Sequence, residues 1–90
     1  MAFTYILLTA GETYYIGSTN DIDERLKEHQ NGRVKSTKSK LPVKLVYLEK
    51  FDTRAEAQKQ EYRIKRWKSR KLIESLIRKS PNNLAPSSIG

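Results

Sequence analysis

An α+β domain is the fold class this sequence predicts: a small three-stranded antiparallel sheet flanked by helices, in the order β-β-α-β-α-α. Three observations lead there. Two short runs rich in aromatic and β-branched residues, 3–9 and 13–17, lie either side of Ala10-Gly11-Glu12 and read as a hairpin. A third such run, Lys44-Leu45-Val46-Tyr47-Leu48-Glu49-Lys50-Phe51, supplies another strand. The remaining structured stretches carry helix caps and helical apolar spacing, and three strands are stable only when helices cover their faces.

The elements follow in order. The first strand is short and apolar enough to be buried on both faces in its middle. In the returning strand, alternation sends Tyr14 and Tyr15 to opposite sides, with Tyr14 left to the packing. Ser18-Thr19-Asn20-Asp21 then offers several N-caps, and the acids Asp21, Asp23 and Glu24 fall where a helix dipole favours them. Asn31-Gly32 ends this helix with a pair suited to a left-handed cap. Within it Ile22 and Leu26 are spaced i, i+4, and Arg25 and His29 border that core-facing stripe one turn apart. An arginine so placed needs a partner.

Residues 32–44 carry Arg33, Lys35, Lys38, Lys40 and Lys44 among Ser36, Thr37 and Ser39, with no acid, and read as a basic surface loop ending at Pro42. Lysines mixed with hydroxyls suit phosphate contacts, and equally suit plain solvation. After the third strand, Thr53-Arg54-Ala55-Glu56 is a capping box opening a helix to Trp67 or Lys68. Its inward stripe includes Ala57 and Ile64, with Glu61 between them. A carboxylate there costs free energy unless it is paired or binds a cation. Arg63, Arg66 and Lys68 surround Trp67 in a basic patch, and Leu72, Ile73, Leu76 and Ile77 mark a last helix over 69–79. Residues 1–79 are thus one domain, and 80–90, rich in Pro, Asn and Ser, read as a flexible tail.

Composition narrows the function classes. The 90 residues carry a net charge of +8, divided into −3 over residues 1–30 and +11 over the rest. So uneven a field points to a polyanion, with nucleic acid the leading candidate. There is no cysteine, which excludes thiolate metal sites and disulfides and fits a reducing, cytoplasmic setting. No stretch approaches the roughly 18 apolar residues of a membrane helix, and the apolar start lacks the basic residues of a signal peptide. Phosphate-binding glycine loops and H-E-x-x-H spacing are missing.

What remains is two tyrosines, one arginine, one histidine and one glutamate on elements that meet at one edge of a small sheet. In this the chain resembles the GIY-YIG nuclease family, and most of all its small stand-alone members, similar to the nuclease module of the excision-repair incision protein. Tyr15-Ile16-Gly17 matches the second motif of that family completely, while Phe3-Thr4-Tyr5 keeps only the tyrosine of the first. Arg25, His29 and Glu61 stand at the family's later positions. The likeness covers residues 3–79.

The resemblance implies an endonuclease that hydrolyses phosphodiester bonds in DNA, branched or damaged DNA being the form suggested by the repair relative, with one divalent cation, Mg²⁺ or Mn²⁺. By it, Glu61 holds the metal, Arg25 neutralises charge on the phosphate, and Tyr5 orients or deprotonates the attacking water. Tyr15 positions water or phosphate, and His29 joins the same network and shares the base role. Lys35, Lys38, Lys40, Arg63, Arg66 and Lys68 are the expected nucleic-acid contacts, and a targeting partner or a second copy is an expected source of specificity. Two departures stand out. Ile73 occupies the place of a frequent asparagine, for which Asn82 or Asn83 would have to substitute, and Ser18 stands where some members have lysine. A non-catalytic nucleic-acid-binding module with the same fold is the alternative, and a basic face for an acidic protein partner is a third reading.

Overall fold

The strand β1 (Ala2–Leu8) lies in the middle of the sheet, between β2 (Tyr14–Thr19) and β3 (Lys44–Phe51), and pairs antiparallel with both. The structure, a computed structural model, describes residues 1–79; the expected tail over 80–90, with Asn82 and Asn83, lies outside the described residues. Three helices complete the order β-β-α-β-α-α: α1 (Ile22–Gln30), α2 (Arg54–Trp67) and α3 (Arg70–Lys79). A short 3₁₀ turn, Lys38–Lys40, interrupts the basic loop before β3. Among the described residues no helix is long and apolar enough to cross a membrane.

Central position explains the burial of β1. Thr4, Tyr5, Ile6 and Leu7 are all buried, because the sheet's neighbours flank the strand and helices cover it above and below. Alternation then divides the side chains. Ile6, Ile16 and Tyr47 face α2 and α3 and form one apolar cluster with Ile64 and Ile73, against which Tyr14, Trp67, Leu76 and Ile77 pack. Tyr5, Leu7 and Val43 face the other way and pack with Tyr15, Leu45, Leu48 and the α1 residues Ile22 and Leu26. The buried hydroxyl of Thr4 donates to the Ala57 carbonyl of α2 at 2.7 Å, which ties that helix to the sheet. Tyr14 and Tyr15 thus belong to opposite faces, as their alternation requires.

Local chemistry places the ends of the elements. Thr53 caps α2 by accepting from the Glu56 amide at 3.2 Å, the first half of the expected capping box, while the Glu56 carboxylate accepts from the Thr53 hydroxyl at 3.3 Å in place of its amide. Asp21 caps α1 by accepting from the Glu24 amide at 3.1 Å, and Gly32 follows that helix at φ 75. Three boundaries differ from expectation. Thr9 leaves β1 to close the hairpin, its amide donating to the Thr13 carbonyl and its hydroxyl bonding the Thr13 hydroxyl. The left-handed residue of that turn is Glu12, at φ 61, rather than Gly11. β2 continues through Ser18 and Thr19, which still pair with Thr4 and Phe3, so of the four N-cap candidates Asp21 is the one used. Ser69 lies just outside α3, where its hydroxyl accepts from the Leu72 amide at 3.3 Å.

Candidate active site

Tyr5 and Gly17 are register partners across β1 and β2. The Tyr5 ring lies over Gly17 so closely that a Cβ there would fall 2.6 Å from the phenol oxygen and 2.7 Å from Cζ. The glycine of the Tyr15-Ile16-Gly17 motif is therefore a requirement of close approach, not of an unusual φ. It lets a full tyrosine ring lie flat on the edge strand with its hydroxyl directed along α1.

On that face the side chains form a chain of hydrogen bonds. Arg25 Nε donates to the Tyr5 hydroxyl at 3.3 Å, and the Tyr5 oxygen is 3.1 Å from His29 Nε2. His29 Nδ1 lies 2.8 Å from the Thr37 hydroxyl. His29 is 0% exposed and Thr37 1% exposed. Since the Tyr5 oxygen already accepts from Arg25, its own proton is free for Nε2, which assigns the remaining imidazole proton to Nδ1 and its bond to Thr37. Burial and the neighbouring Arg25 charge hold the His29 pKa below the ordinary imidazole value, so the ring is neutral and this tautomer is self-consistent. Burial likewise pushes the Tyr5 phenol up to about 12, against the opposing influence of Arg25. Tyr15 completes the group through its ring, 6.2 Å from that of Tyr5 and 4.8 Å edge-on from that of His29.

Arg25 is anchored at both ends of its guanidinium. Besides bonding Tyr5, it pairs through Nη1 with Glu28 at 2.9 Å, and these bonds raise its pKa further. The arginine beside an apolar stripe thus finds its partners within its own face of the sheet.

Glu61 approaches from the other face, on α2. Its Oε1 accepts from the Ser18 hydroxyl at 2.7 Å, and its Oε2 from Lys65 Nζ at 2.6 Å. β2 is an edge strand, and Ser18 follows Gly17, so the carboxylate is held beside the same edge that carries the Tyr5 hydroxyl. The influence of Glu61 on Tyr5 is felt as a further rise in the phenol pKa. A fifth of the Glu61 side chain, 21%, remains exposed, and an ammonium already occupies one of its oxygens. That donor set fits a small hard cation, which takes one or two carboxylates and completes its shell with water and phosphate oxygens. Among the described residues no group of three or more His, Cys, Asp or Glu side chains is placed to hold a metal ion together.

A cleft of ≈ 320 Å³ opens at this edge, lined by Ser18, Thr19, Asp21, Glu24, Arg25, Glu28 and Arg54. Ser18 connects it to Glu61 and Arg25 connects it to Tyr5. The five residues named from the sequence are thus distributed over both sides of one strand edge. The six expected nucleic-acid contacts are not in the cleft wall: Lys35, Lys38 and Lys40 are exposed on the loop, and Arg63, Arg66 and Lys68 are exposed along and after α2. Arg54 is the basic residue of that wall together with Arg25, and sequence reasoning did not nominate it. Thr37, Ser18 and Lys65 were missed as well. Thr37 was hidden as one hydroxyl among several in a basic loop. Lys65 had a signal, since it lies four residues after Glu61 on a helix, where a glutamate and a lysine meet.

Comparison with known proteins shows the family. The family model of the GIY-YIG catalytic domain matches residues 1–74. The chain is similar to a UPF0213 protein of Clostridium perfringens, 41% identical over 81 residues that cover 89% of this chain and 87% of the relative. A UPF0213 protein of Bacillus pumilus is 43% identical over 70 residues, 77% of this chain and 71% of the relative. The solution NMR structure of a UPF0213 protein from Bacillus halodurans superposes with a TM-score of 0.56 at 35% identity, covering 86% of this chain and 83% of that one. On sequence and fold together, the chain belongs to the GIY-YIG family, a family of endonucleases.

Proposed function

We propose that this protein is a divalent-metal-dependent endonuclease that hydrolyses phosphodiester bonds in DNA, with branched or damaged DNA as its substrate. The observation that carries the reading is the meeting of the Arg25–Tyr5–His29–Thr37 chain with the Ser18-held Glu61 carboxylate at one strand edge.

In this reading the scissile phosphate enters the cleft beside Arg25, whose Nη2, left over from the bonds to Tyr5 and Glu28, meets charge that builds on the phosphoryl oxygens. The attacking water gives its proton to Tyr5 as Tyr5 passes its own to His29 Nε2. A phenol with a pKa of about 12 is a poor base by itself, so it serves as a relay, and the neutral imidazole is the terminal acceptor. Thr37 then accepts from Nδ1–H of the resulting imidazolium. Tyr15 supports the imidazole edge and borders the water's position. The new P–O bond forms from the water oxygen, the bond to the leaving sugar oxygen breaks, and that oxygen takes a proton from solvent while His29 later returns its own. Glu61 and Ser18 would hold Mg²⁺ or Mn²⁺, which supplies Lewis-acid polarisation of the phosphate when bound. Lys65 must yield its place on Oε2 for that to happen. The surrounding basic residues position the DNA backbone, and the expected setting is the cytoplasm.

A second reading has one observation in its favour: Lys65 already neutralises Glu61, as in a nucleic-acid-binding module that cuts nothing. One assay separates them. Supercoiled plasmid and branched oligonucleotides are incubated with Mg²⁺ or Mn²⁺ and wild type, Glu61→Gln or Arg25→Ala. The nuclease reading expects wild-type cutting and a loss on the order of 100-fold or more in each variant. Absence of cutting by wild type, or undiminished cutting by both variants, sinks it.

A further inference from the structure

A groove on the outer side of α2 is not part of the cleft just described. It measures ≈ 510 Å³ and is lined by Lys59, Tyr62, Arg63, Arg66 and Trp67. Helical spacing accounts for its composition. Residues 59, 62, 63 and 66 follow i, i+3, i+4, i+7 and form one stripe, turned away from the sheet-facing residues Ala57 and Ile64. Tyr62 is 65% exposed, one of the exposed large hydrophobic residues among those described. The Arg66 guanidinium stands 5.9 Å from the centre of its ring. Lys59, Arg63 and Arg66 form no ion pair among the described residues, whose salt bridges are Arg25–Glu28, Lys65–Glu61 and Arg70–Glu74. Arg63 merely bonds Gln60.

An exposed tyrosine ring in water has little to gain on a surface helix, and three unneutralised cations around it repel one another. Both features are accounted for by a ligand carrying flat aromatic faces and regularly placed negative charge. That is the chemistry of a nucleic-acid strand whose bases are not paired. A duplex keeps its base faces stacked inside and offers nothing for Tyr62, whereas an unpaired base offers a face of the right size. Arg66 beside the ring adds a cation to the stack, and Lys59 and Arg63 lie in reach of the adjoining phosphates.

Glu61 lies on the same helix as the groove, on the side turned to the sheet, so a strand held in the groove runs along the outer face of the element that carries this carboxylate.

We infer that the Lys59–Tyr62–Arg63–Arg66–Trp67 groove binds an unpaired DNA strand, with Tyr62 stacking on a base. The inference deepens the endonuclease reading, for it selects substrates with a junction between duplex and single strand. It is tested without catalysis, by fluorescence anisotropy of a labelled single-stranded oligonucleotide and of its duplex, in EDTA and at fixed salt. Tyr62→Ala is expected to weaken single-strand binding by roughly fivefold or more, to leave duplex binding within about twofold, and Tyr62→Phe to retain the wild-type affinity because the stacking face remains. Arg66→Ala is expected to weaken single-strand binding and lower its salt dependence. Unchanged single-strand binding in Tyr62→Ala, or equal losses for single strand and duplex, overturns the inference. Because the residue is exposed, circular dichroism should show an unaltered fold. Failure of the nuclease reading would leave this binding difference in place, and failure of the groove would leave cleavage intact as a separate measurement.

Discussion

The two faces of this sheet are built from the same three strands and do different things. On the α2 and α3 side, Ile6, Ile16, Tyr47, Ile64 and Ile73 make an apolar cluster whose task is stability. On the α1 side, β1 contributes Tyr5 to a buried polar chain that runs through His29 to Thr37, and β2 sets the Tyr15 ring against it. The difference teaches how a domain this small accommodates chemistry. Alternation along β1 gives one residue to the core and the next to the site, so the polar network is braced by a core one side chain away. The edge position of β2 does the rest, because a residue of α2 can come round that edge without crossing the sheet. Glu61 does so, held by Ser18.

Substitutions should separate the faces. On the core side, Ile64→Ala removes a fully buried side chain and is expected to cost about 2–5 kcal/mol in a urea melt. Glu61→Gln, at the exposed edge, is expected to leave that melt within about 0.5 kcal/mol of wild type. Gly17→Ala tests the contact between the two halves of the site. Its Cβ would fall 2.6 Å from the Tyr5 phenol oxygen and 2.7 Å from the ring carbon Cζ, so an overpacking loss of about 1–3 kcal/mol is expected. It should come with a displaced Tyr5 resonance and a weakened Tyr5–His29 bond, and a neutral melt with an unmoved resonance would show that the close approach is not real.

A smaller effect follows from titration. His29 has a folded pKa below its ordinary value, so the unfolded state takes up its proton first as pH falls. Its neutral form therefore contributes stability that is complete above about pH 6.5 and declines below it. His29→Gln is expected to flatten that decline as pH falls below about 6.5; an unchanged slope would assign the acid sensitivity elsewhere. Smallest of all, Lys68 follows α2 at φ 48, where glycine is at ease. Lys68→Gly should raise stability by about 0.5–1 kcal/mol through the cap alone, which leaves both faces of the sheet untouched.

Much of this molecule was legible before the fold was known, and the reasons are local. The capping box at Thr53 and Glu56, the Asn31-Gly32 stop and the alternation of Tyr14 and Tyr15 each depend on residues within a turn of one another. Arg25 and Glu61 stood out because each lay beside an apolar stripe. What escaped depends on contacts far apart in the chain. Thr37 matters because the basic loop folds back over His29, and Ser18 because α2 brings Glu61 to it from 43 positions away. The left-handed Glu12 and Lys68 escaped for another reason: neither residue type signals that conformation.

The central claim is that side chains from the two faces act on one phosphodiester at the β2 edge. A double-mutant cycle on cleavage rate, with Tyr5→Phe and Glu61→Gln, tests it most directly. If the two form one unit, the double variant cuts within about tenfold of the slower single variant. Losses that multiply independently, or a single variant that cuts as fast as wild type, would contradict it.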